Sequence, residues 1–291
     1  MAVNSILIAG GNGNLGHSVA DQKPVPDRKM IFGDIRDVEK LRSVFKYEKP
    51  DAIVHLAGLF SGSSETNPTT AWEVNATASV HLMKISEENG VGPFVFSSTI
   101  ASYGSSFPQN LPENTKQWPE NIYGATKVAV ERIRHWIKFK YGFDFRCLRL
   151  PLVISPFVPI GAVTAYPGHA CLAAKAGKQF TFPVRADTGV STLYLMDVIC
   201  SIFEFTLCDQ IKIKQPAYHL HGFHFNAGML AAELKNRFPN AKFNFDPQEA
   251  VDSLIRNWPD NIQDLHARND WGWVNQYDFK DTLDALLRAG N

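Results

Sequence analysis

The sequence predicts an α/β fold, a doubly wound parallel sheet with helices on both faces. Short apolar runs alternate with segments of helical period from residue 3 to residue 150. Alternation of this kind implies a parallel sheet covered on both faces. Glycines also recur at three-residue intervals directly after the first run, at Gly10, Gly13 and Gly16.

Taken in order, Val3–Ala9 reads as the first strand, closed by glycines. A helix is expected from near Gly13 to before Pro24 and Pro26, which cannot continue it. Met30–Phe32 is expected as a second strand. Val38–Tyr47 places Val38, Leu41, Val44 and Phe45 at helical spacing. Ala52–Leu56 reads as a strand, and Thr69–Glu88 as a long helix ended by Asn89-Gly90. Pro93–Ser97, the helix Glu120–Tyr141 and the strand Phe145–Leu150 complete this half. After Pro151 the pattern loosens among prolines and glycines. Helices are expected at 168–177, 196–208 and 226–238, short strands near 217–221 and 241–245, and a last amphipathic helix over Asp278–Ala289.

The 291 residues are 45% hydrophobic, enough for a large core. Lys plus Arg and Asp plus Glu both total 29, so no charge excess favours nucleic acid or an acidic membrane. No apolar run reaches the roughly 18 residues of a membrane span. Cys147, Cys171, Cys200 and Cys208 form no Cys-x-x-Cys pair and sit near no His at zinc spacing, so no metal is expected and the thiols read as reduced. The N-terminus opens on a strand-like run without the basic region of a signal peptide. The expectation is a soluble cytoplasmic protein, or a mitochondrial one if a targeting segment precedes this sequence.

The glycine turn carries the first chemistry. Gly10 allows a tight turn, Gly13 lets the backbone approach a pyrophosphate, and Gly16 lets the helix pack close to the strand. The helix start presents free N–H groups and a positive dipole end to phosphates. Asp34 stands at a distance compatible with holding the adenosine ribose; capping of the next helix is the plainer alternative.

The second chemistry lies where the fourth strand ends, in Ser97-Ser98-Thr99-Ile100-Ala101-Ser102-Tyr103-Gly104, the edge at which open α/β sheets bind ligands. Tyr123 and Lys127 are four residues apart on a helix, hence on one face, one turn apart. An ammonium and an oxidised nicotinamide would lower the phenol's pKa toward the range useful for a general base. A hydroxyl of the strand end would steady the substrate oxygen. Arg149 is expected in an ion pair or cap, Trp271 and Trp273 in the core, and Tyr194 and Asp197 at a hinge.

Gly10-x-x-Gly13-x-x-Gly16, His55-Leu-Ala-Gly58, Asn75, Ser98-Thr99 and Tyr123-x-x-x-Lys127 resemble the extended short-chain dehydrogenase/reductase superfamily. A narrower resemblance, to the short-chain L-threonine 3-dehydrogenases, rests on Leu59-Phe-Ser61, Asn67-Pro68, Ala71-Trp72, Tyr141-Gly-Phe-Asp144, Asn257-Trp-Pro259 and Ala267-Arg-Asn-Asp-Trp-Gly-Trp273. It implies a Rossmann-type NAD-binding domain (1–155 plus about 190–222) and a small α+β substrate domain (about 156–189 plus 223–291). It implies oxidation of the threonine C3 hydroxyl to 2-amino-3-oxobutanoate, with NAD taking the hydride. Thr99, Tyr123 and Lys127 would be catalytic. Gly10, Gly13, Asn14, Leu15, Gly16, Asp34, Ile35, Leu56, Ala57, Asn75, Ser97, Tyr123, Lys127 and Leu150 would hold the cofactor. Ser61, Ser98, Thr99, Tyr123, Thr164 and Trp258 would bind the amino-acid substrate. The resemblance also suggests a homodimer through the helices at 69–88 and 120–141.

Three departures qualify it. The sheet is expected one strand short, because Gly16 to Met30 holds barely one helix; strand 30–33 is expected beside strand 3–9, in the vacant place. Leu152 replaces a glycine and could crowd the nicotinamide. Ala162-Val-Thr-Ala-Tyr166 lacks a hydroxyl and a carboxylate of the related pocket segment. A nucleotide-sugar epimerase or other reductase of the superfamily, and a non-catalytic nucleotide-binding homologue, are the alternatives.

Overall fold

A computed structural model of the chain describes residues 3–11, 13, 15, 16, 18, 29–105, 107–156 and 163–289. Its centre is a five-stranded parallel sheet of β1 (Ile6–Ala9), β2 (Ala52–His55), β3 (Phe94–Thr99), β5 (Phe145–Leu150) and β9 (Tyr218–His219), in the order β1-β2-β3-β5-β9. β2 and β5 are buried at every position, and the two arginines of β5, Arg146 and Arg149, are paired with Asp144 and Glu131.

Helices cover both faces. On one, Phe45 of α1 (Val38–Glu48), Leu82, Met83 and Ile85 of α4 (Ala78–Glu88), and Val130 and Ile137 of α5 (Ile122–Tyr141) pack on Phe94, Phe96 and Phe145. On the other, Val198, Ile199, Ile202 and Phe205 of α7 (Leu195–Leu207) pack on Val54, Val95 and Leu148. Two short helices, α2 (Ser61–Thr66) and α3 (Pro68–Trp72), follow β2. The expected long helix 69–88 is α3, a π-helical turn over Glu73–Thr77, and α4. Such π turns gather at functional sites; this one contains Asn75.

A second sheet has the order β10-β8-β6, formed by β6 (Leu152–Ile154), β8 (Gly189–Tyr194) and β10 (Phe223–Asn226). β7 (Phe180–Phe182) pairs with β11 (Phe243–Phe245), and β4 (Asn110–Leu111) with β12 (Asn261–Ile262). Helices α6 (Tyr166–Lys175), α8 (Ala227–Arg237), α9 (Glu249–Arg256), α10 (Leu265–Trp271) and α11 (Phe279–Ala289) complete this part. The α7-side core cluster runs without a break from Val54 and Val95 to Leu230, Ile255 and Trp273, so both sheets share one core. Trp273 is 1% exposed and donates its indole N–H to Asp264. Asp197 accepts the N–H groups of Gln276 and Tyr277, and the Tyr194 and Tyr277 rings meet at 4.8 Å.

One expectation fails. Residues 29–34 form no strand, and β1 pairs only with β2 among the described residues. The segment follows α1 instead: Lys29 bonds Glu48, and Gly33 lies against the Lys40 side chain. Met30 (50% exposed) and Phe32 (75%) bury too little apolar surface to offset the ordering of a sheet edge.

Candidate active site

The site begins with the first turn after β1. Gly10 has φ +90°, and a side chain there would meet the Ala57 nitrogen at 2.5 Å. A Cβ at Gly16 would meet the Gly10 carbonyl at 2.1 Å. Both glycines are therefore needed for the backbone to close on Leu56–Ala57 and for the helical residues Leu15, Gly16 and Ser18 to sit on the turn. Gly13 is exposed, with its N–H on the Gly10 carbonyl at 3.0 Å. The turn thus carries no side chain at these three positions, beside the start of a helix. That shape fits a dinucleotide pyrophosphate. Asn14 lies outside the described residues.

At the same carboxyl edge of the sheet, two strands from β1, β3 and α5 meet. The Asn121 side chain accepts the Gly124 N–H at 2.7 Å and the Glu65 carboxylate of α2 accepts the Ile122 N–H at 2.8 Å, so both cap α5. A Cβ at Gly124 would meet the Ala101 carbonyl at 2.3 Å, so only glycine lets α5 approach the turn after β3 this closely. The approach brings the Tyr123 phenol within hydrogen-bonding influence of the Thr99 hydroxyl, which favours the phenolate. One turn further, Lys127 Nζ donates to the Ser97 carbonyl at 2.8 Å. The ammonium stands 4.7 Å from the Phe96 ring centroid and 5.7 Å from that of Tyr123.

Electrostatics differ from the sequence expectation. Burial pushes the Tyr123 phenol up to about 12, against the Thr99 hydrogen bond, so the ammonium does not acidify it in the protein alone. Burial also lowers Lys127 to about 8, with Cys147 and Glu131 opposing.

Asn75 supports the opposite wall. Its amide accepts the Leu59 N–H at 2.7 Å and donates to the Leu59 carbonyl at 3.1 Å. Ser79 donates to the Asn75 carbonyl at 2.6 Å, so the 2.7 Å contact of His55 Nε2 with that hydroxyl is a donated N–H. His55 is fully buried, and burial then the Lys127 charge lower it to about 3, so it is neutral near pH 7. A Cβ at Gly58 would lie 3.1 Å from Asn75 Oδ1 and 3.7 Å from Lys127 Nζ, which brings these groups together.

The other expected residues are spread over several elements. Ser98 is 3% exposed and donates to Glu131 at 2.5 Å, on the face of the sheet that α5 covers. Asp34 is held in the exposed 29–37 segment by Arg36, which lowers it to about 2 and also bonds Glu73. Its main-chain neighbour Ile35 packs on the α1-side cluster. Ser61 opens α2, half-buried, and Thr164 is half-buried in the 3-10 turn Val163–Ala165. Trp258 packs against Ile100, Tyr103, Leu111 and Ile262, the cluster that starts right after Thr99. Leu150 and Leu152 are buried in the shared core, and Arg149 forks onto Glu131. Sequence reasoning missed Glu65, Gly124 and Glu131. Of these Glu131 had a signal, since it continues the four-residue spacing of Tyr123 and Lys127.

Likeness to known proteins gives the chain its family. The family model described as NAD dependent epimerase/dehydratase family matches residues 6–199. The chain belongs to that family. Bovine (Bos taurus) mitochondrial L-threonine 3-dehydrogenase is 28% identical over 304 residues, covering 97% of this chain and 81% of the relative. An uncharacterized epimerase/dehydratase of Staphylococcus saprophyticus is 29% identical, covering 88% and 81%. Among solved structures, the holo form of an L-threonine dehydrogenase from Cupriavidus necator superposes with TM-score 0.92 at 26% identity, covering 99% of this chain and 100% of that one. The Phytophthora infestans L-threonine dehydrogenase gives 0.91 at 26%, covering 98% of each.

Proposed function

We propose that the chain is an NAD-dependent dehydrogenase that oxidises the C3 hydroxyl of L-threonine to 2-amino-3-oxobutanoate. The observation that carries this reading is the meeting of Tyr123 with Thr99, and of Lys127 with Ser97, at the carboxyl end of β3 in the same sheet as the glycine turn. L-threonine itself is supported by the full-length likeness to threonine dehydrogenases.

The cradle of Gly10, Gly13, Leu15 and Gly16 would hold the pyrophosphate, and Ser97, Lys127, Asn75 and Leu150 the nicotinamide end. Bound there, NAD supplies a positively charged ring that accepts hydride and favours the phenolate. Thr99 donates its hydroxyl to the substrate oxygen and orients it. Tyr123 takes the C3 hydroxyl proton as C3 is oxidised, and that proton passes to solvent. Lys127 keeps a positive charge near the phenol and is itself held by the Ser97 carbonyl. Ser61, Thr164 and Trp258 would line the amino-acid pocket, and a homodimer would form through α4 and α5.

NADH formation with a panel of β-hydroxy amino acids tests the reading, with L-threonine expected to be the best substrate. Activity on a UDP-sugar and none on the amino acids would replace it with the epimerase reading. Calorimetric titration showing no NAD binding at millimolar cofactor would replace it with the non-catalytic one.

A further inference from the structure

Three consecutive residues at the end of β3 are held by three side chains spaced one turn apart on α5. Thr99 meets Tyr123, the Ser97 carbonyl meets Lys127, and the Ser98 hydroxyl meets Glu131. The third contact is the most heavily built. Glu131 is 6% exposed, yet its carboxylate accepts from Ser98 at 2.5 Å, from Gln117 Nε2 at 3.2 Å, and from Arg149 Nη2 at 2.6 Å. Arg149 also brings Nε within 3.2 Å of both carboxylate oxygens. Ser98 and Arg149 are direct cross-strand partners of β3 and β5, so Glu131 is seized by two neighbouring strands at once.

The chain of bonds continues with every proton assigned. His219 Nδ1 faces the Gln263 carbonyl at 3.0 Å and must donate to it, which leaves Nε2 to accept the Tyr103 hydroxyl at 2.5 Å. Arg149 Nη1 in turn donates to the Tyr103 oxygen at 2.6 Å. Glu131 can serve its four donor groups only as a carboxylate, since protonation would turn one acceptor into a fifth donor.

We propose that Glu131 is a positioning residue for the Tyr123–Lys127 pair: gripped from β3 and β5, it locks that face of α5 in register with the Ser97–Thr99 strand end. A second consequence is electrostatic. The groups facing Lys127 are Tyr123 and Glu131 on α5, His55 on β2, Cys147 on β5 and the Phe96 ring on β3. At neutral pH the phenol and the thiol are protonated and the imidazole neutral. Glu131 is the one ionised member of that set, and its charge favours the ammonium that burial disfavours.

The test pairs a titration with a rate. In the chain without cofactor, the Lys127 Cε resonance, assigned by its loss in Lys127→Arg, reports the ammonium directly. Glu131→Gln/Arg149→Met removes the carboxylate without stranding a guanidinium. We expect its Lys127 midpoint to fall below the native value, and the alkaline limb of kcat/KM to move to lower pH by the same amount. Glu131→Asp keeps the charge but shortens the reach; it should leave the midpoint in place and lower kcat. An unmoved midpoint in the double variant, or native kcat in Glu131→Asp, overturns the proposal. The rate arm rests on the dehydrogenase reading; the titration does not. A shifted midpoint in a chain that forms no NADH would support Glu131's role and remove that reading.

Discussion

At the scale of single residues, the site combines buried groups whose ionisation is set chiefly by loss of water. Tyr123, Lys127, His55 and His219 all shift in the direction that disfavours their charged forms. The two histidines make a stability prediction. Each has a folded pKa below the ordinary 6.5, about 3 for His55 and about 4 for His219. The unfolded chain therefore binds protons that the folded chain refuses. Stability is complete above pH 6.5 and is lost as pH falls toward those lower values, by up to about 1.4 kcal/mol per unit for each histidine. Urea unfolding followed between pH 7 and pH 5 should show this slope, and His55→Gln should make it shallower. A flat profile over that interval would show that the imidazoles are not neutral and buried as described.

At the scale of elements, α5 is placed by features that only partly announce themselves. Its four-residue spacing and its Gly142 end are legible as sequence, and so were the strands of the parallel sheet; the Asn121 cap was not, because the helix was expected from Glu120. The tight fit at Gly124 was not, because it depends on the Ala101 carbonyl of another element. Nor was the tie of Ser98 to Glu131: two hydroxyls side by side read alike until the pleat sends Ser98 to the face that α5 covers. The strand expected over Met30–Phe32 failed for a related reason. Three apolar residues suggest a strand, but only a partner and a covered face make one. Gly124→Ala should push α5 off the turn. By general experience with misplacements of about 1 Å, activity should drop about a hundredfold, with α5 still helical by circular dichroism. A native rate would show that the close approach does not position the phenol.

At the scale of the whole molecule, one core joins the parallel sheet to the β6–β8–β10 sheet, so the walls of the site are parts of one packed body. Among the described residues no helix is long and apolar enough to cross a membrane. The outer surfaces of the π turn, α4 and α5 leave an apolar groove lined by Trp72, Ala76, Val80, Ala129 and Ile133, and Trp72 is 46% exposed. That surface is where the proposed homodimer would form. Sedimentation should give a dimer for the native chain and a monomer for Trp72→Glu, with the fold retained. A native chain that sediments as a monomer would remove the dimer from the account.

The account turns on one phenol at the end of β3. NADH formation from NAD and L-threonine, compared between the native chain and Tyr123→Phe, tests it most directly. We predict steady formation by the native chain and none above background by the variant, with thermal stability and NAD binding unchanged. A variant that keeps the native rate would contradict the assignment of Tyr123 as the base.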